Sequence, residues 1–352
     1  MIDWIDLKKI DINKISNEQL TNVILRLISL FNNLNCTRII KIYCVKKYKL
    51  LQNKGVKEMY SKSSLLARFR ENADKELINA KSKSKDYKKQ ADYLNKSITA
   101  IKNSEIKKLE KLNISQVEKM DKLLMIMYVY YVIMLEYRNK VWAYDYMAFA
   151  RRIGEIWEPF CKLPFKFPIN NDVDIYEPLS FKKFRDDIIN NTYKYINTLN
   201  INNTEKQELV KRYNQVWSLV ESGGIKLGLD LHVKVGESYY DIDYKSGFSS
   251  NEKGNTNRLL LVGSIYHSLT DEHKTLLFVR QKEEDNNHYL QTLKNSPYWE
   301  VYCADSTYDK IKELTGFDLK KWINTNIDWK NDISSEFRKH LEDNDLIKYL
   351  TW

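Results

Sequence analysis

Residues suited to chemistry concentrate in the segment 228–247, LGLDLHVKVGESYYDIDYKS. Apolar and aromatic residues alternate with polar ones on both sides of positions 236–238, which predicts two β-strands joined by a tight turn. Because successive side chains of a strand point to opposite faces, Asp241, Asp243 and Lys245 share one face. Carboxylates beside an ammonium group are typical of sites that handle charged substrates.

The hairpin adds a fourth group, Asp230. Either possible two-residue turn places it opposite Asp243 or Lys245, on the same face and roughly 5 Å away between Cβ atoms. Carboxylates this close repel one another unless a cation lies among them. Mg²⁺ prefers oxygen ligands, so two or three carboxylates with a phosphate oxygen suit it. Mg²⁺ activates water for in-line attack on phosphorus, and Lys245 is placed to offset the charge that develops.

An ordinary polar strand face exposed to solvent is the alternative interpretation of these residues. Two features of the surrounding sequence favour a site instead. The strand of Asp230 carries Leu, Leu, Val and Val at alternate positions, so one of its sides should be buried. The helix predicted at 257–269 and the strand predicted at 275–281 form a crossover that returns the chain to the same sheet.

The segment from about 145 to 304 resembles the core of the PD-(D/E)XK nuclease superfamily, and within it the type II restriction endonucleases. The family has an acidic residue near the start of one strand and (D/E)-x-K on the next. Asp230 matches the first, and Asp243 and Lys245 match the second. The resemblance implies that Asp230 and Asp243 ligate Mg²⁺ and that Lys245 helps activate the attacking water. Leu229 stands where the family has proline, and Asp243 stands where Glu is commoner.

Further acidic residues are candidates for the same metal site. Many members of the family carry a glutamate on a helix before the sheet, in a G-x-x-x-E setting, and Glu158 in RRIGEIWE matches that position. Its alternative is an exposed helix acid, and Glu221 is a rival for the role. Asp241 is a possible supporting ligand. The residues between Glu158 and the hairpin would then form a helical insertion around 165–224.

Contacts with DNA are expected from a few basic residues and a histidine. Arg258, Lys282 and His288 are candidates for contact with phosphate or bases, although ordinary surface placement is the alternative for each. The formal net charge of +10 favours a polyanionic partner, and an AT-rich gene would explain part of it. Residues 81–112 hold ten Lys against four acids, which suits either a solvated helical face or an arm along a phosphate backbone.

The rest of the chain predicts the elements that hold this hairpin. Apolar residues recur at every third and fourth position through 1–140, as in 18–31, which predicts a large helical region that embraces DNA, dimerises or supports the core. The apolar run at 123–135 is too short to span a bilayer and predicts a buried helix.

A second domain, 141–352, is predicted to be mixed α/β (α+β), with a restriction-endonuclease-like mixed sheet flanked by helices. Prolines at 159, 164 and 168 should break the preceding helical pattern, and 170–180 should be a loop. Helices return in the last 45 residues of the chain. Its predicted strands and helices are 228–235, 239–245, 257–269, 275–281, 285–295 and 299–304.

Several other classes of function find no sequence support. The four cysteines lack zinc-ligand or paired spacing, which favours a reducing cytoplasm. The N-terminal residues lack a signal-peptide layout. Nucleophile elbows are absent, and the five His have no evident partners for nucleophilic catalysis. No phosphate-binding loop for ATP is present, so no nucleotide cofactor is expected.

Together these features predict a Mg²⁺-dependent type II restriction endonuclease that cuts double-stranded DNA at a specific sequence. The family implies a homodimer, because two symmetric strand cuts suit two symmetric active sites. A repair, recombination or phage-defence nuclease that selects DNA by structure is the alternative within this class. A non-catalytic DNA-binding protein with a merely solvated acidic face is the alternative from another class.

Overall fold

A computed structural model describes residues 58–169, 172–178, 180–218, 226–249, 252–269 and 273–352. The predicted helix at 18–31 and the candidate ligand Glu221 lie outside these residues. The described chain divides into two compact units, with a boundary between Ala143 and Tyr144. The segment Asp328–Arg338 belongs to the first unit, whereas the sequence predicts it within the second.

Before the hairpin, the described elements are helices with one short strand among them. The helices are α1 (Lys62–Lys83), α2 (Tyr87–Glu110), α3 (Gln116–Val141), α4 (Tyr146–Cys161), α5 (Leu163–Lys166), α6 (Phe181–Thr198), α7 (Asn203–Ser218), α8 (Lys253–His267), α9 (His288–Lys294), α10 (Asp305–Thr315), α11 (Leu319–Asn326), α12 (Trp329–Asp332) and α13 (Ser335–Asp343). The strands are β1 (Val173–Ile175), β2 (Leu231–Val235), β3 (Ser238–Lys245), β4 (His273–Val279) and β5 (Trp299–Cys303). Single 3₁₀ turns lie at Glu283–Asp285 and Ile347–Tyr349.

The core of the first unit is α3, and the predicted buried helix is confirmed. Nearly every residue of 123–135 is buried. A capping box between Ser115 and Glu118 begins the helix. Glu136 is 1% exposed, and Arg70 neutralises it through two hydrogen bonds of 3.2 and 2.8 Å. None of the described helices combines the length and apolar character needed to cross a lipid bilayer.

The second unit is built on one five-stranded mixed sheet with the order β1-β2-β3-β4-β5. The first three strands pair antiparallel, and β3, β4 and β5 pair parallel. Each parallel step needs a crossover connection, and α8 and α9 supply these two connections. The predicted mixed α/β class is therefore confirmed.

The two faces of β3 have different environments. Tyr244 points to the face covered by α4, where its ring lies 5.7 Å from Trp157. Asp243 is the neighbour of Tyr244 on the same strand and therefore points to the opposite face, as does its register partner Leu277. Leu277 and Val279 pack there with apolar residues of α8 and α9. The acidic face of the hairpin thus lies beneath α8, beside an apolar core, and not in open solvent.

Two predictions for the segment before the hairpin are wrong. Helix α4 runs through Pro159 and ends at Cys161, because a proline in the last turn removes only one helical hydrogen bond. The predicted loop at 170–180 contains β1, which pairs with β2 at the sheet edge. A strand of three residues is too short for the alternation of polar and apolar residues that predicts a strand from sequence. The segment 165–224 is therefore not a purely helical insertion.

Gly263, in the middle of α8, is explained by its neighbour Trp299. A Cβ at position 263 would lie 2.5 Å from Trp299 Nε1, which donates a hydrogen bond of 2.9 Å to the Leu259 carbonyl. We expect Gly263→Ala to lower the free energy of unfolding by about 1–3 kcal/mol through overpacking. Gly254→Ala in the same helix is the control, because its Cβ would meet nothing within 4 Å. Equal stability of the two variants in urea unfolding would contradict this explanation.

Candidate functional site

The β2–β3 turn sets the register that brings the acidic residues together. Gly236 adopts φ +60°, which glycine tolerates without strain, and Val235 pairs with Ser238 across the turn. Further along the ladder, Leu231 pairs with Ile242. The next residues outward on the two strands are Asp230 and Asp243. They therefore face each other, as one of the two predicted registers requires.

Asp230 lies one residue before β2, whereas the sequence predicts it within the strand. Its Oδ2 accepts a hydrogen bond of 2.8 Å from the Tyr244 backbone N–H. The side chain is half-buried. Its Oδ1 has no hydrogen-bond partner among the residues that the structure describes. Asp230 is therefore fixed by one oxygen while the other remains available to a ligand.

Asp243 is a buried carboxylate held between two cations. It is 1% exposed, and its Oδ1 accepts a hydrogen bond from Lys245 Nζ. Its Oδ2 lies 3.3 Å from Arg258, which reaches down from α8. The side chains of Lys245 and Arg258 keep 19% and 35% of their exposure. Both cations can therefore meet a ligand that arrives from solvent.

The electrostatics around Asp243 favour an additional positive charge. Burial raises the pKa of Asp243 above its usual value, and the negative charge of Asp230 raises it further. Lys245 and Arg258 oppose this rise but do not reverse its direction. The two neighbouring cations do not fully compensate the negative charge of Asp243. Binding of another cation beside it would therefore stabilise this charge.

The end of β3 is fixed by the strand beside it. The Arg280 backbone N–H donates to the Lys245 carbonyl at 2.9 Å. The Arg280 guanidinium donates to Ser246 Oγ at 3.1 and 3.0 Å, and Arg280 also reaches the Thr351 carbonyl. Arg280 therefore holds the backbone that carries Lys245, a role that sequence alone did not reveal.

Asp241, predicted as a possible supporting ligand, lies in a separate buried cluster. It is fully buried, and its Oδ1 lies 2.6 Å from His232 Nδ1 and accepts a 2.5 Å hydrogen bond from the Tyr176 hydroxyl. Its Oδ2 lies 2.8 Å from His273 Nδ1. Burial alone would raise the pKa of Asp241, but these three partners outweigh burial and lower it. Both Asp241 oxygens are bonded, as those of Asp243 are, but here the partners outweigh burial, so a further cation is not favoured.

Glu158, the other candidate ligand that the structure describes, is paired with a different residue. Its carboxylate lies 2.5 Å from the Nζ of Lys162, which is four residues later at the C-terminal end of α4. Helix α4 covers the Tyr244 face of β3, and Lys162 Nζ lies 5.5 Å from the centre of the Tyr244 ring. The structure therefore does not bring Glu158 to Asp230 and Asp243.

The predicted DNA-contacting residues occupy two places. Arg258 reaches Asp243, as described above. His288 is the exposed first residue of α9, and its ring lies 4.1 Å from that of Tyr289. His288 and Tyr289 help line an open cleft of about 460 Å³ formed by the segments that follow β3 and β4. Lys282 is exposed on the second of these segments.

The residues that surround Asp241 come from distant parts of the chain and were not predicted from the sequence. His232 and His273 both bond to this carboxylate, and neither pairing was evident from the sequence. Tyr176 is 65 residues from Asp241 in sequence and His273 is 32 residues away. His232 offered a weak signal, because strand alternation places it on the acidic face.

The donor set near Asp243 suits Mg²⁺. Within the described part of the chain, no three His, Cys, Asp or Glu side chains converge closely enough to hold a metal ion. Mg²⁺ commonly uses only one or two protein carboxylates and completes its shell with water and substrate phosphate oxygens. Asp230, with an available oxygen, and Asp243, whose charge its two cations do not fully compensate, meet that smaller requirement.

No family model, no curated protein and no solved structure matches this chain.

Proposed function

We propose that this chain is a Mg²⁺-dependent endonuclease of restriction-endonuclease-like fold that hydrolyses phosphodiester bonds in double-stranded DNA at a specific sequence. One observation carries the proposal. Asp230 and Asp243 face each other at the open end of a hairpin, with Lys245 bonded to Asp243. This combination of two acids and a lysine on adjacent strands is the one that the resemblance to PD-(D/E)XK nucleases implies.

Asp230 and Asp243 would hold the metal in this proposal. Mg²⁺ bound there would add positive charge at the scissile phosphate and ease attack by water. The protein contributes fixed charge of its own, because Lys245 and Arg258 are both anchored on Asp243 and partly exposed. Their donors are available to phosphate oxygens, on which negative charge grows in the transition state.

Duplex DNA as the partner is supported by charge. An exposed group of lysines lies at the end of α1, in the turn that follows and at the start of α2: Lys81, Lys83, Lys85, Lys88 and Lys89. The acid among them, Asp86, accepts hydrogen bonds from the first backbone amides of α2. Tyr87 beside it is 65% exposed. We call these residues the lysine tip, and their charge density suits a phosphate backbone.

Replacing Lys85, Lys88 and Lys89 together with Gln should weaken DNA binding and reduce its salt dependence. Each lost phosphate contact lowers the slope of log affinity against log salt by about 0.9. Fluorescence anisotropy with a labelled duplex over a range of salt concentrations measures this slope. Lys75→Gln is the control, because that lysine is already paired with Glu71 at 2.9 Å. An unchanged slope in the triple variant would remove the lysine tip from the DNA interface.

A homodimer is part of the proposal, since two symmetric sites would cut the two strands of a symmetric sequence. Cytoplasmic DNA from an invading element would be its substrate. Phage and plasmid DNAs from unrelated hosts, incubated with the protein in Mg²⁺ and in EDTA, test the function. Discrete fragments in Mg²⁺ alone support a site-specific enzyme, whereas cutting confined to branched or damaged DNA supports a structure-selective nuclease. DNA that is bound but left intact in Mg²⁺ would instead support a non-catalytic protein.

A further inference from the structure

We propose that His232, oriented by Asp241, is a positioning residue for Asp230, an inference that rests on the proposed nuclease function. Asp230 lies outside the β2 ladder, so strand pairing alone does not fix its backbone. The segment that leads into it is held instead by side chains from the buried cluster around Asp241. This connection gives that cluster a role in the reaction.

Both ring nitrogens of His232 are engaged, in opposite senses. Nε2 accepts a hydrogen bond of 3.0 Å from the Leu229 backbone N–H. The ring hydrogen therefore sits on Nδ1, which lies 2.6 Å from Asp241 Oδ1 and donates to it. Asp241 thus selects the His232 tautomer that can accept from Leu229.

The hydrogen bond to Leu229 acts on the residue immediately before Asp230. A second side chain holds the same segment, because the Tyr266 hydroxyl of α8 donates to the Leu227 carbonyl at 3.1 Å. Beyond this point the Asp230 carboxylate is fixed by the Tyr244 N–H at 2.8 Å. Hydrogen bonds therefore fix the chain at Leu227, at Leu229 and at the Asp230 carboxylate. Together they restrict the direction in which this carboxylate points.

The surroundings of His232 keep its ring in place. His232 is 5% exposed, and the centres of the Tyr176 and Tyr266 rings lie 5.5 and 5.8 Å from its own. A buried N–H that loses its acceptor is costly, so the Leu229 amide should move when His232 cannot accept from it. Movement of Leu229 would carry Asp230 with it.

Two substitutions at His232 separate the two hydrogen bonds. The amide nitrogen of Asn stands near the Nδ1 position, so His232→Asn keeps a donor for Asp241 and loses the acceptor for Leu229. The amide oxygen of Gln reaches the Nε2 position, so His232→Gln keeps that acceptor. We expect single-turnover DNA cleavage to fall roughly 10- to 100-fold in His232→Asn, the range typical of residues that orient metal ligands. His232→Gln should recover most of the rate, and both variants should keep wild-type DNA affinity.

Hydrogen exchange of the Leu229 amide provides a readout that does not depend on cleavage. Exchange should be faster in His232→Asn and close to wild type in His232→Gln. Equal cleavage rates in the two variants, or rates that follow only their free energies of unfolding, would overturn the positioning role while leaving the nuclease function intact. An exchange rate that is the same in all three proteins would overturn the contact itself. A wild-type protein that cuts no DNA would overturn the proposed function, and the positioning role with it.

Discussion

Asp243→Asn should lower the rate of DNA cleavage roughly a thousandfold while leaving the fold at least as stable as the wild type. The substitution keeps the shape of the side chain and removes the negative charge that would hold Mg²⁺ beside Asp230. It also releases Lys245 and Arg258, whose ammonium and guanidinium groups are anchored on the two Asp243 oxygens. Single-turnover cleavage of a duplex at saturating protein measures the loss.

The expected stability of Asp243→Asn follows from the pKa of the carboxyl. Burial and Asp230 raise the pKa of Asp243 in the folded state. Such a group stabilises the fold below its unfolded pKa and loses that contribution as pH rises through the folded pKa. At neutral pH this carboxyl therefore contributes less to stability than it does in acid, and a neutral amide of the same shape removes that difference. Urea unfolding at pH 7 should give an equal or higher free energy of unfolding.

Asp174→Asn is the matched control, because Asp174 is an exposed residue of β1. It should cut DNA at the wild-type rate and unfold at the wild-type urea concentration. Wild-type cleavage by Asp243→Asn would remove Asp243 from the reaction. Loss of cleavage together with a large loss of stability would mean that Asp243 has a structural role instead.

Asp241→Asn, unlike Asp243→Asn, should lower the free energy of unfolding, by about 3 kcal/mol. Asp241 is fully buried and accepts from His232, His273 and the Tyr176 hydroxyl. An Asn side chain has one acceptor oxygen and an amide group that would face a ring N–H. At least one of these buried donors therefore loses its partner.

The pH dependence of this contribution has a definite sign. The hydrogen bonds hold the pKa of Asp241 below its usual value despite burial. A carboxylate with a lowered folded pKa stabilises the fold above its unfolded pKa and loses that contribution as pH falls through the folded pKa. The difference between wild type and Asp241→Asn should therefore be full at pH 7 and shrink in acid.

Tyr176→Phe is a graded control for Asp241→Asn. It removes only the 2.5 Å hydrogen bond from the tyrosine hydroxyl and should cost about 1 kcal/mol. Urea unfolding of the three proteins at pH 7 tests this order. If Asp241→Asn were as stable as the wild type, the cluster would not stabilise the fold.

Two buried aspartates on one strand face thus differ in what their surroundings favour. Ionisation of Asp241 stabilises the fold, because its hydrogen-bond partners outweigh burial. Ionisation of Asp243 opposes folding, because burial and Asp230 outweigh its partners. Groups that lower stability in this way are common where a protein binds a ligand or catalyses a reaction. The contrast supports Asp243, and not Asp241, as the chemical group.

Local pattern was sufficient to predict the hairpin and its acidic face. Alternation gave the two strands, the glycine at 236 gave the turn, and the period of two put Asp243 and Lys245 on one side. The buried helix at 123–135 followed equally from composition. Each of these features depends on residues that are close together in sequence.

Features that depend on distant contacts were not predictable. Tyr176 reaches Asp241 only because β1, a strand of three residues, pairs at the sheet edge. His273 reaches it because β4 lies parallel to β3 in one particular register. The side of the sheet on which Glu158 lies depends on how α4 packs, which no local period encodes. Asp230 was predicted opposite Asp243 or Lys245; the structure places it opposite Asp243 and one residue outside its strand.

Cleavage of unmodified phage DNA by the wild type and by Lys245→Ala, each in Mg²⁺ and in EDTA, tests the proposed site most directly. We predict new DNA ends from the wild type in Mg²⁺ and none in EDTA. Lys245→Ala should cut at least about 100-fold more slowly in single turnover at saturating protein, where a loss of DNA affinity does not limit the rate. Wild-type protein that leaves varied DNA intact in Mg²⁺, or Lys245→Ala that cuts at the wild-type rate, would contradict a nuclease site at Asp230, Asp243 and Lys245.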